Sequence, residues 1–255
     1  MKKIFVFVQF FVVMAMFAKV NAQVVKGDFN QNGNVDIDDI TLLISVYLAG
    51  EENTPQTNME NGHEYVDLGL SVKWATLNVG ARFYDEYGDY FAWGETFPKS
   101  DYSWKTYKWC SNSSYHQLTK YNYNTNGGEV DYKNVLDPED DAAHVNWGGT
   151  WRMPTHAELH ELREKCNWEW LSQNGLFGYN VVSKVNGNSI FLPAAGCYYN
   201  HSIYEVGERG YYWSNTLCSD TSEFAYRLNF ESENVYDFYG GLRGEYGFCV
   251  RAVCP

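Results

Sequence analysis

The chain has 255 residues, a formal net charge of −13, and 45% hydrophobic and 18% aromatic residues. That length allows more than one folded unit with a core of its own. The acidic balance excludes a nucleic-acid binder, which needs clustered Lys and Arg, and equally a protein held on anionic membranes.

Lys2 and Lys3 precede an apolar run from Ile4 to Phe17, and Val20-Asn21-Ala22 places small residues at the −3 and −1 positions of a cleavage site. Residues 1–22 therefore read as a secretory signal peptide. Its uncharged stretch, Ile4 to Ala18, is 15 residues, short of the roughly 20 that span a bilayer. The expectation is an exported protein (extracellular, cell-surface or periplasmic) with no membrane span after cleavage. Lys2, Lys3 and Lys19 leave with the signal, so the remaining chain is more acidic still.

Residues 23–50 contain a twelve-residue pattern starting at Asp28. Asp28, Asn30 and Asn32 stand at positions 1, 3 and 5, Gly33 at the sharp turn, and Asn34 at the position that offers its backbone carbonyl. Val35 is apolar, and Asp36 and Asp39 fill positions 9 and 12. Calcium takes six to eight hard oxygens, and this spacing supplies them, so calcium is the expected cofactor. Ile40, Leu43, Ile44, Tyr47 and Leu48 then form an apolar helical stripe closed by Gly50. No helix is expected before the loop, so the form is one EF-hand-like loop–helix whose apolar face needs a cover.

Residues 51–62, EENTPQTNMENG, lack apolar periodicity and read as a linker. Residues 63–255 are dense in aromatics. Val72–Val79, Asp89–Trp93, Ser189–Pro193, Gly210–Thr216, Phe224–Phe230 and Tyr246–Val253 read as strands. Asp137-Pro138-Glu139 reads as a capped helix start leading into Asp140–His144, and Thr155-His156-Ala157-Glu158 has capping-box spacing. Many strands with two helices give an α+β expectation.

The chemistry-bearing letters resolve mostly into structural roles. His156 and His160 lie at i, i+4, but the order H-A-E-L-H is not the zinc-protease H-E-x-x-H. Asp137, Glu139, Asp140 and Asp141 cluster at a helix start, where the dipole favours acids. Six cysteines fall in the second half without a CxxC pair; an exported chain permits disulfides among them. Trp74, Trp93, Trp151 and Trp213 read as core. Tyr198, Tyr199 and Tyr204, in a loop with Gly196 and Asn200, are the candidate ligand-binding aromatics.

Gly27, Asp28, Asn30, Gly33, Val35, Asp39, Leu43, Tyr47, Leu48 and Gly50 resemble one repeat of a type I dockerin. That family implies calcium, cohesin-like partners, and the company of polysaccharide-degrading enzymes. Two departures stand: one repeat in place of two, and Ile37-Asp38 where a Ser/Thr pair often contacts cohesin. The first leaves the stripe to be covered by the following domain, by a partner or by a second copy of the chain.

Tyr65–Ala75, Gly88–Thr96, Trp151–Thr155, Gly187–Gly196 and Tyr212–Ser214 resemble the Fib_succ_major-type (major paralogous) domain of exported bacterial proteins. Arg152-Met153-Pro154-Thr155-x-x-Glu158-Leu159 and Gly247-Phe248-x-Val250-Arg251 are similar to the core of formylglycine-generating enzymes. The resemblance implies a C-type-lectin-like fold, and such folds suggest pairing Cys166 with Cys249 or Cys254. Cys249 and Cys254 share the enzymes' spacing but stand at the wrong place relative to the motif. The expectation is a non-catalytic protein that binds a glycan or protein ligand and assembles through its calcium repeat. The alternative is a component or enzyme of a polysaccharide-degrading system with glycoside-hydrolase-type activity.

Overall fold

In the computed structural model the described residues are 35–37, 40–41, 58–123, 125, 127–218, 221–237 and 240–255. The chain divides into two units, residues 1–54 and 55–255. In the first, Ile37, Ile40 and Thr41 are helical. The Thr41 hydroxyl donates to the Ile37 carbonyl at 2.8 Å, one turn back. The signal-peptide residues and Asp28, Asn30, Asn32, Asn34 and Asp39 lie outside the described residues.

The second unit begins earlier than the composition suggests. β1 (Asn58–Glu60) lies inside the stretch read as linker and pairs antiparallel with β2 (His63–Val66). The two-residue turn is Asn61-Gly62, both with positive φ, the conformation that Asn-Gly adopts most cheaply between strands. Glu60 then accepts from the Thr150 N–H and hydroxyl, each at 3.0 Å, and the Trp151 indole donates to the Glu60 carbonyl at 2.7 Å. Polar side chains are thus used for pairing and anchoring, not for a tether.

The α+β expectation is overturned. Strand occupies 40% and helix 11%, which is an all-β class. Among the described residues of the second unit the α-helices are α1 (Ala142–Trp147) and α2 (His156–Lys165). β3 (Lys73–Asn78) and β14 (Arg251–Cys254) complete the first sheet in the order β1-β2-β3-β14. β4 (Cys166–Gln173), β5 (Leu176–Ser183) and β6 (Ser189–Pro193) make a second sheet. β7 (Cys197–Tyr199), β8 (Ser202–Tyr204) and β13 (Tyr246–Gly247) make a third, in the order β13-β7-β8. β9 (Arg209–Leu217), β10 (Phe224–Glu231), β11 (Asn234–Tyr236) and β12 (Gly240–Leu242) make the fourth, with β9, β11 and β12 all pairing to β10. The shift in class comes from the helix-neutral stretch 166–183. It folds as the β4–β5 hairpin about Asn174-Gly175, again two positive-φ residues.

Other elements differ from expectation in detail. Asp89–Trp93 is extended but belongs to no sheet. Phe91 exchanges backbone hydrogen bonds with Phe248, and the Trp93 N–H turns to the Arg243 carbonyl. Tyr246–Val253 splits into β13 and the start of β14. The cap of α1 is Asp141, which accepts from the Ala143 and His144 N–H groups, not Asp137, whose carboxylate is engaged by lysines. α2 starts on a complete capping box of Thr155 and Glu158.

The core holds the expected tryptophans: Trp74, Trp93, Trp151 and Trp213 are all buried. The Trp93 indole donates to the Ser214 carbonyl and the Trp213 indole to the Phe91 carbonyl, each at 2.8 Å. Gly210 is fixed by packing. A Cβ there would overlap the Phe230 ring, which lies against Trp168, Trp170 and Tyr179.

Candidate ligand-binding face

Tyr198, Tyr199 and Tyr204 lie on the β7–β8 hairpin, closed by Asn200 with positive φ. Alternation along β7 sends neighbouring side chains to opposite faces, and the three tyrosines separate accordingly. The Tyr198 ring packs inward on Tyr102 (4.7 Å between centroids) and Tyr90 (6.1 Å). Tyr199 meets Tyr204 edge-on at 6.4 Å and stacks on Tyr246 at 5.1 Å. Tyr204 is 50% exposed. Gly196 lets β8 approach: its φ is +66°, and a Cβ would overlap the Tyr204 carbonyl oxygen.

The row continues inward. Tyr246 stacks on Phe248 at 5.3 Å, and Phe248 on Tyr211 at 5.2 Å. Phe248 and Tyr211 are buried, so the rings run from solvent at Tyr204 into the protein. Strands distant in sequence build this row. β13 brings Tyr246 beside Tyr199 by direct register, and Gly196 and Gly210 link β7 to β9.

At the inner end stands Arg227, opposite Trp213 in the β10–β9 register. Its Cζ lies 5.0 Å from the Tyr211 ring centroid and 5.1 Å from that of Phe248. Its Nε is buried and has no hydrogen-bond partner. Among the described residues its guanidinium makes no ion pair or hydrogen bond. Burial pulls its pKa below the ordinary value, against the opposing influence of Tyr211, Tyr246, Cys197 and Glu205. Leaving such a donor unmet costs about 1–3 kcal/mol, which two ring faces offset by about 0.5–2 kcal/mol. Glu205 is engaged elsewhere: it accepts from the Tyr211 hydroxyl at 2.6 Å and pairs with Arg209 at 3.2 Å.

A shallow groove of about 560 Å3 is walled by Trp170 and Phe177 and edged by Glu208, Arg209, Glu231 and Glu233. Arg209 bridges Glu205 and Glu231, the latter at 2.9 Å. Sequence reasoning singled out neither this groove nor Arg227 and Tyr246. Trp170, Phe177 and Arg209 come from three strands or turns, and no local spacing links them.

The remaining candidates are tied into structure. Cys166, Cys249 and Cys254 are free thiols, so the expected pairing of Cys166 with Cys249 or Cys254 is not formed. Cys249 and Cys254 are buried, and burial raises both thiols, Cys254 to about 11. Neither is a ready thiolate at neutral pH. The His156 Nε2–H donates to the Asp237 carbonyl at 2.8 Å while its ring stacks on Tyr226. His160 Nδ1 and Arg163 hold the buried Asp237 carboxylate, each at 2.7 Å. Among the described residues neither imidazole is hydrogen-bonded to a hydroxyl or thiol nucleophile. Arg152 and Glu158 form a two-pronged ion pair at 2.8 and 2.6 Å, so that motif braces the α2 cap.

Asp137, Glu139 and Asp140 bring carboxylate oxygens within 4.8 Å of one another, a donor set that could hold a metal ion. Here the Lys120 ammonium sits among them, 2.7 Å from Asp137, 2.6 Å from Asp140 and 3.9 Å from Glu139. Lys108 reaches Asp140 at 3.0 Å and Lys133 reaches Asp137 at 2.6 Å. A fixed ammonium surrounded by carboxylates is a closed charge network, and a cation would have to displace it. No family model, no curated protein and no solved structure matches this chain.

Proposed function

We propose that the chain is a non-catalytic binding protein whose β unit takes a glycan or a protein ligand on the tyrosine row. One contrast carries this reading. Cys249, Cys254, His156 and the acid cluster do not converge in a cleft among the described residues; each is buried or clamped by its own partners. The aromatic row, by contrast, reaches solvent through Tyr204 and Tyr199. Tyrosine offers a flat contact face with few rotatable bonds and a polar tip, which suits amphipathic ligands such as sugars.

The N-terminal unit would hold calcium through Asp28, Asn30, Asn32, the Asn34 carbonyl, Asp36 and Asp39, and join a cohesin-like partner or a second copy of itself. The helical conformation at Ile37, Ile40 and Thr41 supports this, since the loop's final ligands belong to the helix start. Ile37 and Ile40 are 69% and 51% exposed, an apolar surface that assembly would bury.

The test is an oligosaccharide array followed by calorimetry on the protein and on Tyr204→Ala and Tyr199→Ala. Each truncation should weaken binding about tenfold, the weight of an aromatic anchor. No bound sugar or protein, or full affinity in both variants, rules out the tyrosine row. Calcium titration with solution mass followed at each point should give one site, lost in Asp28→Ala/Asp39→Ala, in the range of about 10⁻⁷ to 10⁻⁴ M.

A further inference from the structure

We infer that Arg227 and the inner rings of the tyrosine row form a subsite for the carboxylate of an acidic sugar. This rests on the binding reading above and specifies its ligand.

The first ground is the state of the arginine. Arg243 and Arg251 are the fully buried guanidinium groups among the described residues, and both are held by backbone carbonyls. Arg152, Arg163 and Arg209 each pair with a carboxylate. Among the described residues, Arg227 has the faces of Tyr211 and Phe248 and no carboxylate or carbonyl partner. Ring faces hold a guanidinium in one plane while leaving its N–H fork unused. That fork matches a carboxylate with two parallel hydrogen bonds.

The second ground is its surroundings. The residue keeps part of its surface accessible, and Tyr246 and Tyr199 continue the ring row from it toward exposed Tyr204. A sugar ring laid on Tyr199 and Tyr246 would carry its acid group toward Arg227. Glu205 acts on the arginine only through space, because Tyr211 and Arg209 hold its two oxygens.

The third ground is the charge of the whole. At −13 the chain repels polyanions. A single sheltered cation in such a field suits one isolated carboxylate and disfavours nucleic acid or a highly sulfated chain. The flat, hydroxyl-tipped rings favour a pyranose over a peptide terminus, whose flanking side chains would need apolar pockets.

The experiment uses the full chain and three probes at low salt: a glucuronate-terminated oligosaccharide, its glucose-terminated counterpart, and a short peptide with a free terminal carboxylate. Affinities come from calorimetry and from thermal shift. The glucuronate probe should bind at least ten times tighter than the glucose probe. In Arg227→Gln that preference should fall to within twofold, with the glucose probe still bound. Arg227→Lys, a point charge without the fork, should restore it only in part. Equal binding of the two sugars overturns the subsite and leaves the glycan reading standing. So does an unchanged preference in Arg227→Gln, or tighter binding of the peptide than of the acid sugar. Binding of neither sugar overturns both. Should Arg227→Gln fail to fold, the comparison of probes on the unaltered protein still decides.

Discussion

Two arginines of the β unit, Arg251 and Arg227, are held in opposite ways. Arg251 is spent on the fold. Its Nε donates to Asn78 at 2.8 Å, Nη1 to the Ala75 and Thr76 carbonyls at 3.1 Å each, and Nη2 to the Phe191 carbonyl at 3.0 Å. It thereby ties β14, β3 and β6 together. Burial lowers its pKa to about 10, still high enough to keep the charge at neutral pH. Arg227 is held in place by two rings and, among the described residues, shares its hydrogen bonds with no protein group. A buried charge with an acceptor on every nitrogen stabilises the fold. One held only by ring faces keeps its donors for something outside it.

The largest expected effect separates the two directly. Arg251→Met strands three backbone carbonyls and Asn78, and should cost about 3–5 kcal/mol in denaturant unfolding. Arg227→Met removes a donor that is already unmet, and should stay within about 1 kcal/mol of the parent. Similar losses in both would end the distinction.

Next comes the acid cluster. Lys120→Met leaves the buried Asp140 with Lys108 and Tyr121 alone. The expected loss is about 2–4 kcal/mol, less than for a fully orphaned buried charge because those partners remain. A cost below about 0.5 kcal/mol would mean the network behaves as an exposed ion pair.

pH should sharpen the same point. Burial opposes ionisation of Asp140 and Glu158. Lys120, Tyr121 and Lys108 hold the first below its usual value, and Arg152 with the Thr155 N–H holds the second. Lys120 and Lys133 lower Asp137. Carboxyls depressed in the folded state add stability above their ordinary values of 3.8 and 4.5. That stability is lost as pH falls through the lower folded values. His156 and His63 are lowered by burial from 6.5, so the unfolded chain takes up protons first below that value and stability begins to decline there. Melting temperature should therefore ease down from about pH 6.5 and drop steeply below about pH 4. A flat profile from pH 7 to 5 contradicts the histidine part, and Lys120→Met should make the acid limb shallower.

The smallest effect on stability belongs to Tyr204→Ala, within about 0.5 kcal/mol because half of the residue is already in water. A larger loss would make the tyrosine row a packing feature of the β7–β8 hairpin.

Several elements are legible from the letters. Ser189–Pro193 is β6 with the bounds its composition suggests, and Thr155-x-x-Glu158 caps α2 as its spacing dictates. Asn61-Gly62 and Asn174-Gly175 carry an equally local signal for β-hairpins. The residues around them are too polar, or too irregular in period, to show as strands, and so the α+β expectation arises. The candidate site divides in the same way. Tyr199 and Tyr204 are recognisable as a tyrosine-bearing turn, whereas Tyr198, equally tyrosine, faces Tyr102 because of strand parity.

By itself the sequence determined what contacts within four residues settle: the helix cap, the Asn-Gly turns, the calcium-like spacing and the apolar weight of the tryptophans. Only the tertiary structure decided that Lys120 fills the acid cluster, that Cys166 stays unpaired with Cys249 or Cys254, and that Arg227 meets Tyr211 and Phe248. Those outcomes depend on register between strands far apart in the chain. A one-residue slip of β10 against β9 would turn Arg227 to the opposite face, and no local pattern records it.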